Sequence, residues 1–139
     1  MDVDILLKAL DNDDNENIIN MSSTQIKEMI HDMLSELDLE QDVFKDYLTK
    51  LKHYRYIDEL NDLKIGAFIR WIPLADPENI YLTQGGIICD IKITDKGIAL
   101  VCKNFAHKHY HLNPDELMIF QKLSGQEQVL LAALDYLEK

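Results

Sequence analysis

Apolar residues recur along this chain at two different spacings, which divide it into helical and strand-rich parts. Between residues 22 and 51 they return every three or four positions, as they do on one face of an α-helix. From residue 64 to residue 122 they form short alternating or continuous runs separated by turn residues, which is typical of β-strands. Helical spacing returns after residue 123. The pattern therefore predicts an α+β fold.

Capping-box sequences predict where the helices begin. Ser22 and Ser124 are each followed, three residues later, by a Gln or Glu whose side chain can bond the backbone N–H of the serine. Asp38 opens a similar sequence before another apolar stripe. We therefore expect an N-terminal helical hairpin or kinked pair over residues 22–51, with its apolar stripe in the core, and a C-terminal helix from residue 124.

Two other segments have ambiguous patterns. Residues 2–10 have the composition of a short helix, but the acidic run that follows at 11–17 is typical of a loop, so this segment either frays or docks on this domain or a partner. Residues 53–63 fit both a strand and a helical turn, and we interpret them as a short helix leading into the first strand.

The strand-rich part predicts a small barrel. Its five predicted strands cover residues 64–74, 80–94, 98–104, 107–112 and 117–122. Gly85-Gly86 interrupts the second strand and predicts a bend that lets a small sheet close on itself. Asn113-Pro114 predicts a one-turn helix before the last strand. These features favour a five-stranded SH3-like antiparallel barrel, with an OB-type barrel as the alternative.

The second predicted strand also has an expected inner face. Beyond the two glycines, the alternation places Ile87, Cys89, Ile91 and Ile93 on one face, which we expect to point into the core. The complete organisation is then a single domain. It has an acidic flexible segment at 1–21, a helical region at 22–63, the barrel at 64–123 and a helix at 124–139 packed on the same domain.

Charge is distributed unevenly over the 139 residues, whose formal net charge is −11. Residues 1–50 carry 4 basic and 13 acidic side chains, whereas residues 64–112 carry 6 basic and 4 acidic ones. The overall sign disfavours nonspecific nucleic-acid binding and suits a basic protein partner, but it leaves room for a mildly basic barrel face. No apolar run is long enough to span a membrane. The acidic start does not fit a signal peptide, and both cysteines lie in predicted strands, so we expect an intracellular, reducing compartment.

One group of residues has the composition of a metal site. His107, His109 and His111 alternate along one strand and so share a face, and Cys102 lies in the preceding strand. A histidine-rich polar face on an edge strand explains the same residues, and we expect Cys102 to be buried. We therefore predict neither a bound metal nor another cofactor. The chain also has no nucleophile elbow and no phosphate-binding loop, so we expect a protein that is not an enzyme.

A second group combines basic and aromatic side chains. Its members are Arg70, Trp71, Lys103, Lys108 and Tyr110, which could line a barrel face that stacks bases or contacts phosphates. The simpler interpretation is that Trp71 belongs to the core and that the lysines form a solvated surface. We favour this second interpretation because the basic excess of the barrel is small.

The order of three sequence segments resembles that of a group of viral proteins. YRYIDELNDLKIGAFIRWIPL, LTQGGIICDI and LMIFQKL, within residues 54–134, are similar to segments of small uncharacterised SH3-like-barrel proteins of large nucleocytoplasmic DNA viruses. This chain departs from many of them in its fourth strand, which reads HKHYHLN. The resemblance implies a small barrel and a viral, virion-associated setting, and it implies no catalytic residues.

These observations predict a non-enzymatic protein-interaction or structural module, associated with the virion if the resemblance holds. One alternative is a nucleic-acid-binding barrel that uses the mildly basic aromatic face. The other is a metal-binding domain built on the His107–His111 strand.

Overall fold

The computed structural model describes residues 3–12, 15, 18 and 21–137, and the chain divides into two compact units. We call Met1–Arg55 together with Leu123–Lys139 the helical unit, and Tyr56–Lys122 the sheet unit. The described residues contain four α-helices and six β-strands, so the predicted α+β class is confirmed. Among the described residues, each helix is too short or too polar to cross a membrane.

The helices of the helical unit are α1 (Val3–Asp11), α2 (Ser23–Ser35), α3 (Gln41–Lys50) and α4 (Gly125–Leu137). Two of the predicted capping boxes are confirmed. The Ser22 hydroxyl accepts from the backbone N–H of Gln25, and the Gln25 side chain accepts from the backbone N–H of Ser22. Ser124 and Glu127 make the same reciprocal pair at the start of α4. Each box satisfies backbone donors that the first helical turn leaves without an intrahelical partner.

The capping box predicted at Asp38 is wrong. Helix α3 is preceded by Glu40, whose side chain makes no capping hydrogen bond. Asp38 instead has a φ of 54°, in the left-handed region, where its short polar side chain is tolerated better than a larger one. Asp38 therefore belongs to the turn that connects α2 to α3.

The N-terminal stretch that we expected to be flexible contains helix α1, which packs against α4. Ala9 is fully buried in this contact region. The buried Asn15 side chain donates to the carbonyl of Ala9 and to the Gln126 side chain, which also accepts from Asn12. Residues 1, 2, 13, 14, 16, 17, 19 and 20, which include most of the predicted acidic loop, lie outside the described residues.

The strands are β1 (Tyr54–Ile57), β2 (Phe68–Pro73), β3 (Gly86–Thr94), β4 (Gly97–Lys103), β5 (His109–Leu112) and β6 (Leu117–Lys122). They form one antiparallel sheet in the order β1-β6-β2-β3-β4-β5. The sheet ends at β1 and β5 and is open, so the five-stranded closed barrel is not confirmed. The sixth strand, β1, lies where we expected a short helix, and a single 3-10 turn follows it at Leu60–Asp62. Tyr54, Tyr56 and Ile57 favour a strand, and pairing within the sheet decides the outcome.

A β-bulge changes which residues of β3 face the core. Ile88 pairs with Cys102 and Asp90 pairs with Val101, so Cys89 is an extra residue without a cross-strand partner of its own. Ile88 is consequently buried and Cys89 exposed, and Ile87 and Ile93 are exposed as well. The predicted inner face of β3 is therefore wrong for Ile87, Cys89 and Ile93, whereas Ile91, which follows the bulge, packs against the core as expected. The core of the sheet unit consists of Ile57, Leu63, Ile69, Trp71, Ile88, Leu100, Cys102 and Ile119.

Candidate functional site

One cavity of the sheet unit brings together two of the predicted binding residues, Trp71 and Tyr110. It has a volume of about 310 Å³, which falls in the range of small-ligand pockets. Strand β2, the segment before β3, the loop between β4 and β5, and β5 itself contribute to its wall. The lining residues are Trp71, Thr83, Gln84, Gly85, Asn104, Phe105, Ala106 and Tyr110. We call this cavity the aromatic pocket.

Thr83 holds one wall of the aromatic pocket against β2. Its backbone N–H donates to the carbonyl of Trp71 at 2.9 Å, and its hydroxyl both accepts from the Trp71 N–H and donates to the Trp71 carbonyl. Arg70 adds a fourth bond, since its Nε donates to the carbonyl of Thr83 at 2.8 Å. The segment before β3 is therefore fixed to β2 by hydrogen bonds even though it is not a strand.

Gly85 and Gly86 allow this segment to lie unusually close to its neighbours. Gly85 has a φ of +88°, and a Cβ atom there would lie 2.1 Å from the carbonyl oxygen of Ile69. A Cβ atom on Gly86 would lie 2.7 Å from the carbonyl oxygen of Lys103. No real side chain fits at such distances, so both positions require glycine. The Gly-Gly pair thus shapes one wall of the aromatic pocket.

Asn104 organises the opposite wall. Its side-chain oxygen accepts from the backbone N–H groups of Ala106 and Lys108, and its side-chain nitrogen donates to the Tyr110 hydroxyl at 3.2 Å. Its backbone N–H donates to the carbonyl of Lys108, while its carbonyl accepts from His107. Five hydrogen bonds therefore hold the loop between β4 and β5 in one shape, in which His107 has a left-handed φ of 61°.

This ordered loop holds a large aromatic side chain in solvent. The Phe105 side chain is 79% exposed, and it stacks on Phe68 with ring centroids 5.6 Å apart. Trp71 is 7% exposed and forms the buried end of the pocket, and the Tyr110 ring lies 5.5 Å from the Lys108 ammonium. Exposed aromatic rings beside a concavity are typical of binding sites for an apolar group.

The lining is neutral. From Lys96 to Asn113 the sequence contains three lysines and three histidines and no Asp or Glu, but Lys103, His109 and His111 lie on the other face of the sheet. Arg70 and Lys108 contact the pocket walls directly, through Thr83 and Tyr110. The lining side chains offer aromatic surface, amides and a hydroxyl, which suits recognition of a ligand more than proton transfer or nucleophilic attack.

Four of the five predicted binding residues gather at the aromatic pocket. Trp71 and Tyr110 line it, and Arg70 and Lys108 adjoin it. Cys102 pairs with Tyr110, so these two residues share the face of the sheet that carries the pocket. Lys103 is the next residue along β4 and points to the opposite face, so it is not part of the pocket. Sequence reasoning missed Phe105, Asn104 and Thr83. An aromatic residue directly after an asparagine, between two strands, was the available signal for Phe105.

The structure separates Cys102 from the histidines that could have joined it in a metal site. Tyr110 is the cross-strand partner of Cys102, whereas His109 and His111 pair with Lys103 and Val101, and so point to the other face. Burial, and secondarily the charge of Cys89, raises the pKa of the Cys102 thiol to about 11, which disfavours the thiolate that a metal needs. Within the described ranges, no three His, Cys, Asp or Glu side chains are grouped as a metal site would require.

The chain matches none of the protein-family models, curated proteins or solved structures with which it was compared. The candidate site therefore rests on the geometry of the aromatic pocket.

Proposed function

We propose that this protein is a non-enzymatic interaction module that binds a segment of a partner protein in the aromatic pocket. The observation that carries this proposal is the exposed Phe105 ring, which the Asn104 hydrogen bonds hold beside a cavity with Trp71 at its buried end. Holding an apolar ring in water is unfavourable unless another surface covers it. A partner side chain that enters the cavity would cover Phe105 and contact Tyr110.

The lining favours an extended segment with one apolar anchor side chain. Aromatic-lined grooves recognise extended, proline-rich segments because those segments lose little conformational entropy on binding. The Gln84 amide lines the pocket and would bond the backbone of such a segment, whereas the Asn104 amide is engaged within its own loop. The basic side chains around the pocket disfavour a basic residue next to the anchor. A basic partner, which the net charge of −11 suits, would therefore carry its positive charge elsewhere.

The proposed setting is a structural role in a viral particle, within a fold related to SH3-like barrels. The resemblance to proteins of large DNA viruses supports this setting. Two features support the fold relationship: β6 returns to pair with β2, and a 3-10 turn at Pro114–Glu116 precedes β6. This hypothesis predicts that the protein is recovered in purified particles, in constant ratio to the major coat protein.

Peptide selection followed by fluorescence titration tests the binding proposal. A displayed random-peptide library selected against the whole protein should yield sequences that share one apolar anchor. Trp71 is the single tryptophan and forms part of the pocket, so its emission should report peptide binding directly. Phe105→Ala should weaken the selected peptides roughly 30-fold, the effect of losing about 2 kcal/mol at a hot spot. Tyr136→Ala, which removes another exposed ring on α4, should leave the affinity unchanged.

A nucleic-acid ligand is the second candidate, because the aromatic rings adjoin the basic Lys96–Asn113 stretch. Single-stranded oligonucleotides would stack on Phe105, and their affinity would fall steeply with salt. Selection that yields no common peptide anchor, together with salt-sensitive quenching of Trp71 by an oligonucleotide, would reject the peptide proposal in favour of this one. Equal peptide affinities for the Phe105→Ala variant and the native protein would reject the pocket as the site.

A further inference from the structure

Helix α1 presents an apolar stripe to solvent. Val3, Leu7 and Leu10 follow the i, i+4, i+7 spacing of one helix face, and their side chains are 61%, 54% and 46% exposed. Ala9, on another side of the helix, is fully buried, and α1 packs against α4. The stripe is therefore not the surface that attaches α1 to its own helical unit.

Charged residues follow one edge of this stripe. Asp4, Lys8 and Asp11 are spaced like the apolar residues and lie beside one another on the helix surface, with alternating sign. Asp4 and Asp11 are seven residues apart, which corresponds to about 10 Å along the helix axis. The outer surface of α1 thus combines an apolar stripe with a row of three side chains, Asp4, Lys8 and Asp11, whose charges alternate in sign.

A groove in the helical unit has the complementary pattern. Its volume is about 400 Å³, and Ile30, Leu48, Leu51 and Tyr54 supply its apolar surface. Its remaining lining residues are Lys27, Glu28, His31 and Lys52. Helix α3 borders the groove and contributes no fully buried residue, so its apolar stripe is only partly covered within the described residues. We call this the α2–α3 groove.

We propose that α1 of one copy of this chain docks in the α2–α3 groove of a second copy. The apolar stripe would cover Leu48 and its neighbours, in the manner of an amphipathic helix in a hydrophobic groove. Two lysines and one glutamate on the groove match two aspartates and one lysine on the helix, which provides charge complementarity. Neither Lys27 nor Lys52 has an ion-pair partner among the described residues.

The occupant comes from another copy because α1 already packs against α4 of its own chain. Each chain therefore carries both a stripe and a groove, which are different surfaces. Such heterologous contacts either close, as in a reciprocal pair, or continue into a longer assembly. This inference concerns the helical unit and does not depend on the aromatic pocket.

Light scattering on the full chain tests the proposal. The mass should rise above the 16.2 kDa of one chain as the concentration increases through the micromolar and millimolar ranges. Leu7→Asp should weaken association roughly 30-fold or more, because it places a charge in the apolar contact. Lys27→Glu combined with Lys52→Glu should weaken it by a factor of about ten, and Leu10→Asp provides a second test of the stripe. The four substituted residues are all exposed: Leu7, Leu10, Lys27 and Lys52. Each variant should therefore retain its fold, which circular dichroism would verify.

Mixing the variants gives the sharpest result. The Leu7→Asp chain keeps its groove and the Lys27→Glu/Lys52→Glu chain keeps its stripe, and each should associate with itself more weakly than the native chain. Because the surviving groove and stripe are on different chains, the mixture should form a 1:1 complex. Ile93→Asp, an equivalent change at an exposed position of the sheet unit, should associate like the native chain. A native chain that stays at 16.2 kDa, association that survives Leu7→Asp, or a mixture that remains monomeric would each overturn the proposal.

Discussion

Replacing Gly85 by alanine should lower the free energy of unfolding more than replacing Gly97 or Gly125 by alanine. A Cβ atom at Gly85 would lie 2.1 Å from the Ile69 carbonyl oxygen, and the φ of +88° is unfavourable for a residue with a side chain. Gly97 has a similar conformation, with a φ of +115°, but open space around it. Gly125 has open space and no positive φ. These glycines therefore separate the cost of the clash from the cost of the backbone conformation.

The expected magnitudes follow from those differences. The left-handed backbone costs an alanine about 1–2 kcal/mol, and this is the whole expected loss for Gly97→Ala. At Gly85, relieving the clash requires the segment to move away from β2. This movement weakens one or two hydrogen bonds and adds about 2 kcal/mol, for a total of about 3–4 kcal/mol. Gly125→Ala should be neutral or stabilise by about 0.5 kcal/mol, because it only restricts the unfolded chain.

Urea denaturation measures these free energies of unfolding, with tryptophan fluorescence for the Gly85 and Gly97 variants of the sheet unit and far-ultraviolet circular dichroism for the Gly125 variant of α4. Trp71 lies in the sheet unit and hydrogen-bonds to the segment that contains Gly85, so its emission reports unfolding of this unit. The Gly85→Ala midpoint should fall below that of Gly97→Ala by about 1 M urea. If the two variants unfold at the same midpoint, the segment does not pack closely against β2, and the described wall of the aromatic pocket is incorrect.

Four further predictions concern helix capping, thiol accessibility, the pH dependence of stability and the pocket loop. Ser124→Ala should lower the stability of the helical unit by about 1 kcal/mol in thermal denaturation, because Glu127 loses its reciprocal partner. An aromatic disulfide reagent at pH 8 should modify the exposed Cys89 and leave the buried Cys102 unmodified. Since the pKa of Cys102 rises from 9.0 to about 11 on folding, stability should fall as the pH increases through that interval, and Cys102→Ala should flatten the decline. Asn104→Ala should cost about 1–2 kcal/mol and speed amide exchange in residues 105–108.

Each of these predictions has a result that would contradict it, and the capping prediction also has a control variant. Ser35→Ala alters an exposed serine at the end of α2 that caps no helix start, and a loss equal to that of Ser124→Ala would argue against the capping effect. Equal labelling rates for both thiols would show that Cys102 is accessible. A pH profile that is the same with and without Cys102 would assign the decline to other groups. Unchanged exchange in the Asn104 variant would mean that backbone bonds alone order the loop.

Short-range signals predicted several elements correctly. The capping boxes at Ser22 and Ser124 and the Asn113 cap all formed as expected. In each case the interacting groups lie within four residues of one another, so the outcome depends little on the rest of the chain. The box at Asp38 failed because the same residue type also suits the left-handed turn that the chain adopts there.

Features that depend on distant strands were not predictable in the same way. The alternation in β3 placed Ile91 correctly but gave the wrong face for Ile87 and Cys89, because a bulge against β4 shifts the register between Ile88 and Asp90. Strand β1 was expected as a helix because its residues fit both states until the sheet provides pairing. Two of the eight lining residues, Trp71 and Tyr110, were among the predicted binding residues, but Phe105 was not, because its position depends on hydrogen bonds that converge on Asn104.

Spacing, local hydrogen bonding and charge are properties of neighbouring residues, so the amino-acid sequence was enough to predict the α+β class, the starts of α2 and α4 and the separation of acidic from mildly basic regions. Long-range strand pairing was needed to show that the sheet is open, that Cys102 faces away from His109 and His111, and that Trp71, Phe105 and Tyr110 meet at one cavity. Those outcomes depend on strand pairing and on the close approach at Gly85. The contacting groups are far apart along the chain, so folding alone brings them together.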